Sequence, residues 1–141
     1  MMASYPEFMV SPMRKDLTEA GFTELLSPES VDQLMNEKEG TTLVVVNSVC
    51  GCAAANARPG VKKAVELAEK KPTRLVTVFA GMETEAVNRA REYMLPFPPS
   101  SPSIALFKDG KLVHMLERHH IEGRAADMIA QNLSEAFNQH C

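Results

Sequence analysis

The sequence predicts an α/β domain built on a central mixed β-sheet, a parallel pair plus an antiparallel C-terminal hairpin, flanked by helices and preceded by an N-terminal helical extension. Three observations predict it. Two apolar, β-branched runs, residues 41–49 and 73–81, are each followed by apolar residues at helical spacing, the order that builds parallel strands through crossover helices. Two further apolar segments, residues 103–108 and 111–118, are separated only by Asp109-Gly110, a hairpin turn signal. The 141 residues, 45% hydrophobic and 23% charged, match one ordinary globular domain with its own core, so residues 1–141 are expected to form a single unit.

In chain order, residues 11–22 mix apolar and polar positions around Met13, Leu17, Ala20 and Phe22, which predicts a first helix stopped by Gly21. The second helix has a clearer start. Ser27 can cap it, Pro28 suits its first position and Glu29 sets a negative charge at the positive helix end. Val31, Leu34 and Met35 form one face, and Gly40 is the expected end. Residues 41–49, TTLVVVNSV, read as a strand covered on both faces. Beyond Cys52, Val61, Ala64, Val65 and Ala68 repeat at helical spacing, with a kink or break expected near Pro59 and Gly60. Residues 73–81 form the second strand, and residues 83–95 a second crossover helix burying Ala86, Val87, Ala90, Tyr93 and Met94. Residues 96–102, PFPPSSP, hold too much proline for helix or central strand. Asp109-Gly110 supplies the two positive-φ positions of a type I′ turn. Residues 121–140 read as a terminal amphipathic helix around Ala125, Ile129, Leu133, Ala136 and Phe137. This order, strand–helix, strand–helix, hairpin, helix, is the thioredoxin-like arrangement.

A net charge of −3 supplies no general attraction to phosphate backbones or anionic lipid surfaces, so neither nucleic acid nor membrane is an expected partner. The N-terminus lacks a charged leader followed by an apolar stretch of about 7–15 residues, and a cytoplasmic protein is expected. Three cysteines are few and odd in number, unlike a secreted disulfide scaffold.

Two of them stand one glycine apart, as Cys50-Gly51-Cys52. Cys50 falls where the strand gives way to a helix, and Cys52 in the first helical turn. Unpaired amides and the helix dipole there favour a thiolate, which makes Cys50 the candidate nucleophile and Cys52 the candidate resolving thiol. Gly51 leaves the backbone free to bring the sulfurs together. A disulfide across one intervening residue closes a small ring, and strain in that ring makes it easy to reduce. Pro102, directly before the hairpin, stands where a cis proline presents backbone to a substrate chain, and Ser101-Pro102 is the expected cis bond. Arg58 could add positive potential near the thiolate or face solvent.

The segments EGTTLVVVNSVCGCAAANARPG, VTVFAG, REY, PSSPSIALFKDGKLVHMLERHHIEG and the ending AFNQHC together resemble the bacilliredoxin family over nearly the whole chain. The resemblance implies a thioredoxin-like fold and a redox role in bacteria that use the small thiol bacillithiol. Cys50 matches the cysteine that attacks a mixed disulfide and takes the bacillithiol, and Cys52 matches the second of the motif. Clients would be bacillithiolated proteins, with no metal or organic cofactor. Cys141 matches the family's ending and is a possible further redox thiol. Two rival readings use the same residues: a general protein disulfide isomerase, and a soft-metal binder holding an ion through Cys50, Cys52 and Cys141. His119-His120 could orient a substrate or bind metal, or simply form a solvated loop.

Overall fold

The structure, a computed structural model, describes residues 4–141. Five strands, β1 (Thr23–Glu24), β2 (Thr41–Asn47), β3 (Arg74–Phe79), β4 (Ser103–Lys108) and β5 (Lys111–Leu116), form one sheet in the order β1-β3-β2-β4-β5. The β1–β3 and β2–β3 pairings are parallel, and β2–β4 and β4–β5 are antiparallel. The predicted parallel pair and hairpin therefore meet in one mixed sheet with β2 at its centre. Around it lie helices α1 (Glu7–Thr18), α2 (Pro28–Met35), α3 (Arg58–Leu67), α4 (Thr84–Tyr93), α5 (Arg118–Ile121) and α6 (Ala126–His140).

All seven residues of β2 are buried, as a doubly covered strand requires. Leu43 and Val45 pack with Leu17 of α1, Val61 and Ala64 of α3, and Ile129, Leu133 and Phe137 of α6. Val44 and Val46 face the other way, onto Val31 and Met35 of α2 and Ala86, Val87 and Ala90 of α4. A one-residue slip of β2 would exchange these sets between two different cores, so both layers hold its register. That register decides where the strand ends, and hence where the cysteines begin.

Local chemistry explains the elements the sequence predicts. Ser27 caps α2: its hydroxyl accepts the Ser30 amide at 3.1 Å, and the Ser30 hydroxyl accepts the Ser27 amide at 3.1 Å. Asp109 (φ 51°) and Gly110 (φ 83°) make the hairpin turn.

Several boundaries differ from the expectation. α1 begins at Glu7 and runs through Pro12 to Thr18. On it, Arg14 pairs with Glu7 (3.1 Å), Glu24 (2.6 Å) and Glu83 (2.8 Å), with its guanidinium over the Phe79 ring. α2 stops at Met35, so Gly40 does not end it. Gly40 instead leads into β2 at φ 86°, where an added Cβ would lie 2.6 Å from the Thr73 hydroxyl. β2 is shorter than predicted at its C-terminal end and β3 at both ends, and β1, only two residues long, is too short for any periodic signal. The predicted terminal helix starts later, at Ala126: Gly123 (φ 78°) separates α6 from the short α5, which begins where the hairpin's second strand was expected to end, and Ala125 precedes α6 instead of lying on its buried face.

The break expected near Pro59 takes a definite form. Residues Ala53–Ala57 make a π-helical turn, closed by the Arg58 amide donating to the Ala53 carbonyl. Pro59 cannot donate to Ala55, and its ring crowds that carbonyl, so the turn before it widens by one residue. Gly60 then lets α3 approach α6: a Cβ there would stand 2.7 Å from Ile129 and 3.1 Å from the Ala126 carbonyl.

Candidate active site

β2 carries Asn47 to its C-terminal end with Ser48 just beyond, and the chain turns at once into the helix that carries Cys52. The Ala53 and Ala54 amides donate to the Cys50 carbonyl at 3.1 and 3.2 Å, so Cys50 stands at the start of that helix. The sulfurs of Cys50 and Cys52 lie 2.6 Å apart, longer than the roughly 2.05 Å of a disulfide, and both cysteines are free. Each is half-buried.

The two thiols are electrostatically unequal. Burial pushes the Cys50 thiol up, but hydrogen bonds from the Cys52 thiol, the Ser48 hydroxyl and the Ala53 and Cys52 amides outweigh it, and its pKa lies below the ordinary value. Burial, the hydrogen bond to Cys50 and the charge on Cys50 push the Cys52 thiol up, offset in part by Arg118. Ionising one sulfur thus holds the proton on the other.

Behind Cys50 lies a chain of polar contacts that the sequence did not reveal. The Ser48 hydroxyl donates to Cys50 Sγ at 3.1 Å and accepts the Cys50 amide at 3.2 Å. The Asn47 carboxamide oxygen accepts the Ser48 amide at 2.9 Å, and its Nδ2 donates to the Met13 carbonyl of α1 at 3.1 Å. Arg58 does not face solvent: it is buried, with Nη1 donating to Asn47 Oδ1 and to the Ser48 carbonyl, each at 2.9 Å. Its Nε donates to Asp16 at 3.1 Å, and Asp16 also pairs with Lys62 at 2.5 Å. Arg58 touches neither sulfur and acts by fixing the Asn47-Ser48 corner that carries the hydroxyl. The adjacency of Asn47 and Ser48 to the motif was the available signal; the inward turn of Arg58 follows from the π-helical turn, where Pro59 signals a break but not its form.

Opposite the motif, the Ser101-Pro102 bond is cis, as is Leu95-Pro96. Ser103, the next residue, pairs with Val46 in β2, so the proline loop ends beside the strand that ends at the cysteines. Gly51 is exposed, with nothing near the position of a Cβ. Arg118 donates from Nη1 to the Ser101 carbonyl at 3.3 Å. A cavity of about 220 Å³ opens against Cys50, lined also by Tyr5, Ser48, Gly81, Ser101 and Arg118. A larger cavity, about 420 Å³, lies between β5 and α6 around His114, Asn132 and Glu135, and neither cysteine lines it.

Cys141 is not brought to this site. The Ala126 end of α6 packs on Gly60, and Cys141 lies fifteen residues further on, about 22 Å along the helix axis. Among the described residues, the metal-ligand side chains that gather in a group of three are Glu117, His119 and His120, without either motif cysteine. No helix of the described residues is long and apolar enough to cross a membrane.

A pair of free thiols at a helix start, one favoured as thiolate and the other as thiol, carried at the end of a central parallel strand and faced by a cis proline, defines a thiol-disulfide oxidoreductase. The fold agrees: the chain is similar to the thioredoxin of Fasciola hepatica (TM-score 0.55, 20% identity, 85% of this chain and 100% of that one) and to a mutant thioredoxin from Halobacterium salinarum (TM-score 0.58, 15% identity, 86% and 91%). A family model described as disulphide isomerase matches residues 5–141. The chain is 61% identical over 135 residues to a bacilliredoxin of Cytophaga hutchinsonii, covering 96% of this chain and 98% of the relative. It is 53% identical to one of Halalkalibacterium halodurans, covering 100% and 99%. The chain belongs to the bacilliredoxin family.

Proposed function

We propose that the chain removes bacillithiol from mixed disulfides on cytoplasmic proteins, with Cys50 attacking and Cys52 resolving. The observation that carries this reading is the unequal thiol pair, a stabilised Cys50 thiolate within 2.6 Å of a Cys52 thiol held protonated. The name of the relatives supports the choice of small thiol.

The cycle balances with no cofactor. The Cys50 thiolate attacks the bacillithiol sulfur of a protein–S–S–bacillithiol bond; a Cys50–bacillithiol disulfide forms, and the client leaves as its thiolate and is protonated from water. Cys50 has then lost its charge, which removes the hydrogen bond and the repulsion that kept Cys52 protonated. Cys52 gives up its proton to water, attacks Cys50 Sγ, and bacillithiol leaves as thiolate. The enzyme ends as the Cys50–Cys52 disulfide, two electrons more oxidised, and a thiol reductant restores it. Gly51 lets the sulfurs meet, Ser101 and Pro102 present backbone to the client, and Arg58 positions Ser48. Cys141, exposed at the far end of α6, is open only to exchange with other molecules.

Mass spectrometry of a bacillithiolated client tests the reading. Wild-type protein should strip the adduct, Cys50→Ala should not, and Cys52→Ala should accumulate bacillithiol on Cys50. A Cys50→Ala protein that worked at the normal rate would sink the assignment. The family model's description, disulphide isomerase, favours a second reading, rearrangement of protein cystines. Faster action on scrambled protein disulfides than on the bacillithiol adduct would select it.

A further inference from the structure

The walls of the cavity against Cys50 are chemically lopsided. Tyr5, Ser48, Val49, Ala80, Gly81 and Ser101 carry no charge, and beside the Cys50 thiolate Arg118 is the one charged side chain among its described lining residues. The attacking thiolate bonds to the sulfur of the small thiol, so the rest of that thiol must lie against Cys50, in or beside this cavity. At about 220 Å³ it is smaller than the roughly 300–1,000 Å³ of drug-sized sites, and fits a small thiol in place of a protein segment.

Arg118 is held where it can read such a group. Its amide donates to the Ser100 hydroxyl (3.2 Å), its Nη1 to the Ser101 carbonyl (3.3 Å) and its Nε to Glu122 (3.0 Å). Nη2 has no hydrogen-bond partner among the described residues, which leaves one edge of the planar fork open. The bond to Glu122 is an exposed pair between residues four apart, weak enough for an incoming carboxylate to compete with it.

We propose that Arg118 is a specificity-determining residue, binding a carboxylate carried by the small-thiol half of a mixed disulfide while Cys50 attacks the sulfur of that half. The proposal rests on the cycle above. A guanidinium recognises a carboxylate through paired N–H donors, and here it would orient the disulfide as well as select it. It also sets which sulfur is attacked: with the anionic half drawn to Arg118, the client half points outward and becomes the leaving group.

One client protein with a single exposed cysteine, loaded in turn with 3-mercaptopropionate (anionic), 2-mercaptoethanol (neutral) or cysteamine (cationic), tests this. Wild type should remove the anionic adduct about threefold faster than the neutral one and the cationic one slowest, with the spread narrowing as salt rises. Arg118→Gln should bring the anionic-to-neutral ratio to about one, and Arg118→Glu should invert the order. Because each readout is a ratio within one protein, a loss of folded enzyme does not move it. Equal removal of all three adducts by wild type, or a ratio unmoved by Arg118→Glu, overturns the role of Arg118 alone. A wild type that removes none of them but still strips the bacillithiol adduct overturns the role of Arg118 alone, and one that strips neither overturns the cycle itself and the role of Arg118 with it.

Discussion

Replacing Ser48 with alanine deletes one contact to the proposed nucleophile and should make Cys50 harder to ionise. The hydroxyl lies 3.1 Å from Cys50 Sγ. A hydrogen bond to a charged group contributes about 1.5–3 kcal/mol. Cys50 is only half-buried, so water takes over part of that, leaving about 1 kcal/mol. At 1.36 kcal/mol per tenfold change this raises the Cys50 pKa enough to leave about a fivefold smaller thiolate fraction on the acid side of its titration. A more basic thiolate is also a better nucleophile, with a Brønsted slope of about 0.4–0.5, so the rate of attack should fall only about two- to threefold. Alkylation of Cys50 by iodoacetamide across pH, followed by peptide mass spectrometry to separate it from Cys52, reads the shift. Ser48→Thr keeps the hydroxyl and should stay close to wild type. The competing effect is burial, which pushes the same thiol up. If Ser48→Ala moved the titration to lower pH, or left it unmoved, admission of water would dominate over the hydrogen bond and the reasoning would be refuted.

Two further outcomes follow from the surroundings of the site. Asp16→Asn leaves the buried Arg58 charge less well paired and should destabilise the fold by about 1–2 kcal/mol, discounted because Asp16 is one-third exposed. The Asp16 pKa lies below its ordinary value through the sum of burial, which raises it, and Lys62 and Arg58, which lower it further. A carboxylate depressed in the folded state contributes its stability above the unfolded value, about 3.9, and loses it as pH falls through the folded value. Urea denaturation should therefore show the gap between wild type and Asp16→Asn largest near neutrality and closing in acid; a gap that widens below pH 4 would contradict the pairing. Gly60→Ala puts a Cβ 2.7 Å from Ile129 and should cost about 1–3 kcal/mol by forcing α3 and α6 apart, visible as a lower melting temperature. An unchanged melting point would mean the two helices part freely.

The elements with repeating chemistry were legible. β2 and β3 show as apolar runs, the hairpin as Asp109-Gly110, and the cysteine pair falls between β2 and the following helix. What was not legible depends on residues far apart in the chain. Asp16 meets Arg58 across 42 positions and Arg14 meets Glu83 across 69, and single-sequence periodicity carries no information about such pairs. Ser48 was visible as a neighbour of the motif, but its rotation toward the sulfur depends on Asn47, which is itself held by Arg58 and by the backbone of α1. The sequence predicts Arg118 as the last residue of the hairpin's second strand, residues 111–118, whereas β5 ends at Leu116 and Arg118 opens a four-residue helix beside the proline turn.

The π-helical turn at Ala53–Ala57 matters beyond accommodating Pro59. One helix here serves two masters: its first residues are phased to the redox motif and its later ones to α6, and each residue added or removed rotates one end against the other by about 100°. The widened turn is the splice that reconciles the two phases. Deleting a single alanine from it would restore a regular helix, yet swing Arg58 away from Asn47 and Gly60 away from Ile129 at once. A Cys-Gly-Cys sequence transplanted onto an uninterrupted helix would therefore carry the two thiols without the buried cation that sets their corner, and any engineering of this motif must move the extra residue together with the cysteines.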